Sequence, residues 1–289
     1  MLLLQYSLSD GGNKNFEILK GKYRTFLGML NWLSISTHPD LATVNSWLVS
    51  TTKSPTHAHL EALQHMDQYI KATSDNSISL HVSSKPNAAL KAFIQFALDD
   101  PTDSLPRPSA FADSNWGPQD ASIPSKLNQQ MLKLDETHSV CGHIVFMSHG
   151  PLLWKSHKEC RNSQSSCEAE VKATDECTKS VHWLWHVLSD LSLLSHDPTP
   201  IYNDNMATVN WANTTSHKVM RHVNIRENAI HEAIHEFWEI SVTHISGKVN
   251  PADIFTKEHK SNEVIVASKT PSCLDACLGV LDPYYEVSA

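Results

Sequence analysis

Residues 165–194 read SSCEAEVKATDECTKSVHWLWHVLSDLSLL. Ala173, Cys177, Val181, Leu184, Leu188 and Leu191 recur at intervals of three and four, so the stretch predicts one long amphipathic helix with these six on its buried face. Three positions before Ala173 the same stripe calls for an apolar side chain and finds Glu170. Glu168, two residues earlier, points about 200° around the helix and reads as solvated. An acid on the buried stripe needs a partner, and the flanking sequence is where to look for it.

Before the helix come three short strand-like runs, residues 109–116, 139–148 and 151–156, the last two joined by a turn at His149-Gly150 that suggests antiparallel pairing. After it, Pro198 and Pro200 bracket a strand from Ile201 to Asp204, and Asn205 can cap the short helix that follows. A helix over residues 224–237, a strand over 240–245 and a final helix over 252–257 complete the order β-β-β-α-β-α-α-β-α. Upstream, Phe26, Leu27, Leu30 and Leu33 keep helical spacing, Pro39 restarts the pattern toward Leu41, Val44, Trp47 and Leu48, and Pro55 opens a further helix through Leu60, Leu63, Met66, Tyr69 and Ile70. This small helical region is assigned to residues 1–98, a linker to 99–107, the α/β domain to 108–262 and a tail to 263–289.

The 289 residues carry 31 acidic and 23 basic side chains, a net charge of −8 with the 18 histidines neutral. That balance weighs against a protein that holds nucleic acid by phosphate neutralisation alone. It leaves room for an acidic site that recruits divalent cations. Nine glycines supply neither a dinucleotide-binding nor a phosphate-loop fingerprint, and six cysteines show no C-x-x-C spacing. No apolar run is long enough to span a membrane, and Met1 heads too short an apolar stretch for a secretion signal. The expected location is therefore the cytoplasm or nucleus.

Four acids sit at strand ends and helix starts: Asp113 in the first strand, Glu170 on the long helix, Asp204 closing the fourth strand and Asp253 opening the last helix. Taken singly, each has an ordinary explanation as a solvated residue or a helix cap. Converging on one cleft they would repel one another unless cations lay between them, and oxygen donors of this kind suit Mg²⁺ or Mn²⁺.

Residues 108–257 resemble the ribonuclease H domain of copia-type LTR retrotransposon polyproteins. The resemblance is carried by Ala112-Asp113-Ser114-Asn115-Trp116-Gly117, Cys141-Gly142-His143-Ile144-Val145-Phe146, Leu153-Trp154-Lys155-Ser156, Ser166-Cys167-Glu168-Ala169-Glu170, Ile201-Tyr202-Asn203-Asp204-Asn205 and Ala252-Asp253-Ile254-Phe255-Thr256-Lys257. Tyr23-Arg24-Thr25-Phe26-Leu27-Gly28-Met29-Leu30 and His38-Pro39-Asp40-Leu41-Ala42 resemble the region following the polymerase palm in the same polyproteins. The family implies a ribonuclease H-like mixed five-stranded sheet flanked by helices, preceded here by the small helical module. It also implies an acidic set of Asp113, Glu170, Asp204 and Asp253 that holds two Mg²⁺ or Mn²⁺ ions and cleaves the RNA strand of an RNA–DNA hybrid. Asn115, Gln119, Asn205 and His222 are candidates for substrate contacts. With fingers and palm not in the chain, polymerase activity is not expected, and the polymerase portion of the polyprotein is a candidate partner.

The sequence departs from the family where Val171 replaces an aromatic residue, where Asn224 stands in place of an acid, and in a long loop at residues 118–137. Two other readings compete. His231-Glu232-Ala233-Ile234-His235 spells the zinc-peptidase signature, although Phe237-Trp238 occupies the place of its usual extension. A decayed retroelement fragment would keep the fold and bind hybrid without turnover.

Overall fold

The computed structural model describes residues 13–53, 55, 57–73, 108–116, 138–147, 150–193, 197–214 and 228–257. Five strands form one mixed sheet: β1 (Pro108–Asn115), β2 (Val140–Met147), β3 (Gly150–Lys158), β4 (Thr199–Asn203) and β5 (Ile240–His244), in the order β3-β2-β1-β4-β5. β2 runs antiparallel to both β1 and β3, while β4 is parallel to both β1 and β5. The switch has a simple cause. A tight turn can join only antiparallel strands, whereas the return from β3 to β4 passes through a long helix and so can bring the chain back in the direction of β1. This is the mixed, helix-flanked five-stranded sheet of the ribonuclease H-like class.

That helix, α4 (Ser166–Asp190), lies across one face of the sheet. Ser165 caps it by accepting the amide hydrogen of Glu168, and the Glu168 carboxylate accepts that of Gln164, so both ends of the first turn are satisfied locally. Ala173, Cys177, Val181, Leu184 and Leu188 are buried against Ala110, Ala112, Cys141, Val145 and Ile201. Leu191, expected on the same stripe, is 60% exposed, because the helix ends at Asp190 and the chain turns through Ser192 at a φ of 57°. Beyond α4, α5 (Met206–Asn213) and α6 (Asn228–His235) lie between β4 and β5 in the chain, and Ile230 and Ala233 of α6 join the same core.

Strand alternation sends Phe111 and Asp113 to the opposite face. There Phe111, Ile144, Phe146 and Tyr202 pack with Phe255 and Ala252, from a 3₁₀ turn at Pro251–Phe255, and with Ala42 of the N-terminal helices. The final α-helix expected at residues 252–257 is this shorter turn, whose bonds run from Asp253 N to Asn250 O and from Thr256 N to Asp253 O. The N-terminal region is three helices, α1 (Asn13–Ser36), α2 (Ala42–Ser50) and α3 (His57–Ala72), around Tyr23, Leu30, Leu41, Leu48 and Leu63. Among the described residues, Trp154 Nε1 of β3 donates to Ser34 O at 2.7 Å, and Thr43 Oγ1 donates to Ile254 O of the Pro251–Phe255 turn at 2.6 Å. α1 starts well before Tyr23, where apolar spacing first becomes readable. Residues 99–107, the loop at 118–137 and the tail from 263 lie outside the described residues, as does the turn at His149. No helix among the described residues is long and apolar enough to cross a membrane.

Candidate active site

β1 and β4 are parallel neighbours from which the chain leaves toward opposite sides of the sheet, and the cleft beyond the C-terminal ends of such strands is where α/β sheets place ligands. Ala110 pairs with Ile201 and Phe111 with Tyr202. Continuing that register by two residues sets Asp113 level with Asp204, which directly follows β4. The Pro251–Phe255 turn brings Asp253 to them from the other direction, and one carboxylate oxygen from each of the three aspartates lies within 4.8 Å of the others. Among the described residues this is the only group of three or more metal-ligating side chains so close together.

Glu170 reaches the same place from α4. Its carboxylate accepts the Ser114 amide hydrogen at 3.2 Å and the Asn203 Nδ2 hydrogen at 2.9 Å, which ties the helix to the ends of β1 and β4. Asn203 is fully buried and its own Oδ1 accepts from Asn205 N at 2.7 Å, so its amide is fixed with the donor toward Glu170. Glu168 has a different set of partners: it caps the helix and pairs with Lys172 at 3.0 Å.

The turn that carries Asp253 is held from four sides. Asn250 donates to Ala112 O at 3.0 Å and caps the turn through Ala252 N, while Ser156 and Thr43 donate to the carbonyls of Phe255 and Ile254. Thr256 Oγ1 donates to Asp113 Oδ2, and Lys257 Nζ lies 2.7 Å from Asp253 Oδ1 and 3.9 Å from Asp113 Oδ2. Burial raises Asp113 to about 7, with the negative charge of Asp253 adding to it and Lys257 and Thr256 opposing. Burial likewise raises Glu170 to about 8, reinforced by Asp113 and opposed by the bonds from Asn203 and Ser114. Asp204 is raised for the same first reason. Burial alone would lower Lys257, and attraction to Asp113, Asp253 and Asp204 more than reverses it.

Two glycines make the approach possible. A Cβ on Gly142, the residue opposite Asp113 in β2, would stand 2.5 Å from Phe255 Cβ and 2.8 Å from Thr256 Cγ2. A Cβ on Gly247 would stand 2.5 Å from Asp204 Oδ2. Their alanine variants should therefore fail differently. Gly142→Ala pushes a packed backbone segment off the sheet and should cost about 1 to 3 kcal/mol in urea unfolding. Gly247→Ala meets only a rotatable carboxylate and should leave the unfolding midpoint nearly unchanged while displacing Asp204, so that its defect shows in divalent-ion affinity.

Of the other candidates, Asn115 donates to Thr256 O at a long 3.5 Å, and Asn205 spends its amide oxygen on the N-terminus of α5, accepting from Ala207 N and Thr208 N. Gln119 and His222 lie outside the described residues. His231 is buried with its ring edge-on to Trp211 at 4.5 Å, and its ring centre is 5.9 Å from that of exposed His235. Gly142, Asn203, Thr256 and Lys257 stand in the motif stretches with no site role evident from sequence, and Asn250 and Gly247 stand outside those stretches. Asn250 alone had a local signal, a cap residue followed by proline.

No protein-family model matches the chain. Curated relatives do. The chain is 28% identical over 261 residues, 87% of its length, to the retrovirus-related Pol polyprotein from transposon RE2 of Arabidopsis thaliana, and 28% identical over 237 residues to that from transposon RE1 of the same plant. It is 23% identical over 242 residues to the corresponding polyprotein from transposon TNT 1-94 of Nicotiana tabacum. It spans 14 to 15% of the length of these relatives. Among solved structures, LC11-RNase H1 isolated from compost aligns with a TM-score of 0.36 at 13% identity, covering 57% of this chain and 99% of that one. The foamy viral protease-reverse transcriptase in complex with RNA/DNA hybrid aligns with a TM-score of 0.38 at 11% identity, covering 86% and 29%. The fold assignment stands on strand order and register, and the sequence relationship stands on the matched length: this chain is homologous to a segment of the retrovirus-related Pol polyproteins of plant transposons.

Proposed function

We propose that the chain is the ribonuclease H region of a retrotransposon Pol polyprotein and hydrolyses the RNA strand of RNA–DNA hybrids. The observation that carries this reading is the convergence of Asp113, Asp204 and Asp253 within 4.8 Å at the open ends of β1 and β4, with Glu170 tied to both strands beside them. In this reading residues 108–262 form the nuclease, 99–107 a linker, 263–289 a tail, and the helices of residues 1–98 are the end of the reverse transcriptase. Thr43 and Ala42 then link that helical region to the turn bearing Asp253.

The donor set fits hard divalent cations. It is all carboxylate oxygen, and burial together with the charge of neighbouring acids makes Asp113, Glu170 and Asp204 poor anions without added positive charge. Asp113, Glu170, Asp204 and Asp253 would hold two Mg²⁺ or Mn²⁺ ions, which when bound lower the pKa of water and neutralise charge on phosphate oxygens. The chain's own residues preorganise that site. Thr256 fixes the rotamer of Asp113, the hydrogens donated by Asn203 and Ser114 oppose the effect of burial on Glu170, and Lys257 offsets part of the excess charge. Hydrolysis adds water oxygen to phosphorus and breaks the bond to O3′, leaving a 5′-phosphate and a 3′-hydroxyl. Telling RNA from DNA requires contacts to 2′-hydroxyls. Asn115 is assigned to this task together with Gln119 and Asn205, and His222 to proton transfer or product release.

The test is cleavage of a labelled RNA–DNA hybrid by the purified chain with Mg²⁺ or Mn²⁺, against single-stranded RNA and duplex DNA. Cleavage of hybrid RNA alone, unaffected by a zinc-selective chelator and abolished by EDTA, is expected. Binding without cleavage under both ions, or equal cutting of duplex DNA, would refute the assignment.

A further inference from the structure

On the solvent side of α4, far along the helix from Glu170, His182 and His186 stand one turn apart with their Nε2 atoms 3.0 Å from each other and their rings edge to face at a centroid distance of 4.5 Å. Glu239, at the entrance to β5, places Oε2 2.8 Å from His182 Nδ1. The carboxylate sits on a fixed piece of backbone: Glu239 N donates to Ala233 O, and Thr199 N donates to Glu239 O. With Nδ1–H given to Glu239, neutral His182 presents a bare Nε2 lone pair, and His186 meets it with its Nε2–H. A carboxylate that orients an imidazole through Nδ1–H is the arrangement by which proteins prepare histidine for a metal.

We propose that His182 and His186 form a two-nitrogen site for a divalent transition ion, with Glu239 as the group that orients His182. Distance selects among ions. At metal–nitrogen bonds of about 2.0 to 2.1 Å, nitrogens 3.0 Å apart subtend roughly 94° at the metal, whereas a tetrahedral ion needs them at about 3.3 Å. A right-angle pair suits tetragonal Cu²⁺, then Ni²⁺, ahead of Zn²⁺, and the order of intrinsic affinities runs the same way. The ion would sit about 1.4 Å off the line between the nitrogens, with water in its other positions. His186 need only move its proton from Nε2 to Nδ1, so the exchange is balanced without release of a proton. His182 is half exposed, so the ion needs no opening of the fold to enter. Bound, it would clip two successive turns of α4 together. This is imidazole chemistry, separate from the carboxylate cleft, and it stands whether or not the chain is a nuclease.

The experiment is Cu²⁺ titration of the full chain with Mg²⁺ in excess to occupy the carboxylates, followed by calorimetry and electron paramagnetic resonance. Wild type should bind one Cu²⁺ with hyperfine structure from two nitrogens. His182→Ala and His186→Ala should each weaken that binding at least about tenfold and lose one nitrogen, and Glu239→Gln should weaken it about tenfold by releasing the imidazole. His235→Ala should change nothing. Equal affinity and an equal spectrum in His182→Ala, His186→Ala and wild type, or loss of the signal in His235→Ala instead, would overturn the proposal. All of these positions except the carboxyl of Glu239 are substantially solvated, so circular dichroism should report an unchanged fold in each variant.

Discussion

Glu170→Gln should slow hybrid hydrolysis by more than about a hundredfold, while Glu168→Gln stays within a few-fold of wild type. The two residues are two positions apart on one helix, and their surroundings separate them. Glu170 accepts from Ser114 on β1 and Asn203 on β4 at the carboxylate cleft, whereas Glu168 is spent on the helix N-terminus and Lys172. In the proposed nuclease, removing one charge from the site that would stabilise a phosphorane-like transition state costs several kcal/mol, and about 3 kcal/mol already exceeds a hundredfold. Stability should respond differently. An amide at position 170 relieves repulsion from Asp113, but it can accept only one of the two hydrogens offered, because the Asn203 amide is fixed by its bond to Asn205. Relief and a lost hydrogen bond of about 1 kcal/mol roughly offset, so unfolding in EDTA should move by about 1 kcal/mol or less. The assignment fails if Glu168→Gln proves the inactive variant, or if Glu170→Gln retains full activity.

The difference between these glutamates was readable before any coordinates, because helix phase is a local property: Glu170 continues the stripe of Ala173 and Cys177, and Glu168 does not. The antiparallel pairing of β2 and β3 was readable for a similar reason, since a tight turn dictates pairing direction. What stayed hidden depends on contacts between distant residues. Gly142 looks like any strand glycine until Phe255, more than a hundred residues later, is found against it. Gly247 has meaning only beside Asp204, and Asn203 only once α4 lies across β4. The last helix was overread because Ala252-Asp253-Ile254-Phe255 has acceptable helix formers. Asn250 and Ser156 pin its carbonyls and amides to the sheet and leave it a 3₁₀ turn. Leu191 fell on the right phase but past the end of the helix, where phase no longer fixes direction.

In EDTA the folded protein should lose stability as pH rises from 7 to 9, and saturating Mg²⁺ should remove that loss. Asp113 and Glu170 ordinarily titrate at 3.8 and 4.5 and are raised to about 7 and about 8 in the fold. The native state therefore holds protons that the unfolded chain has already released. The stabilisation is fully present below the unfolded values and disappears as pH climbs through the folded ones. Over the whole range it is worth on the order of 4 kcal/mol, taken once because the two acids repel each other and share the effect. Buried His143, His59 and His157 are lowered by desolvation and act with the opposite sign below their ordinary value of 6.5, which would mask the carboxylates at acid pH. From pH 7 upward those histidines are almost wholly neutral in both states, and the carboxylates should give a decline of about 1 to 2 kcal/mol by pH 9, to which the buried thiols of Cys141 and Cys177, raised by desolvation, add with the same sign near pH 9. With Mg²⁺ present the acids are ionised and paired, so binding strengthens as their protons leave, and the slope should flatten or reverse. Glu170→Gln removes one titrating group and should shrink the EDTA slope. Urea unfolding at pH 7, 8 and 9, with and without Mg²⁺, measures all of this, and a flat or rising curve in EDTA would mean that these two acids are not held protonated in a crowded, buried site.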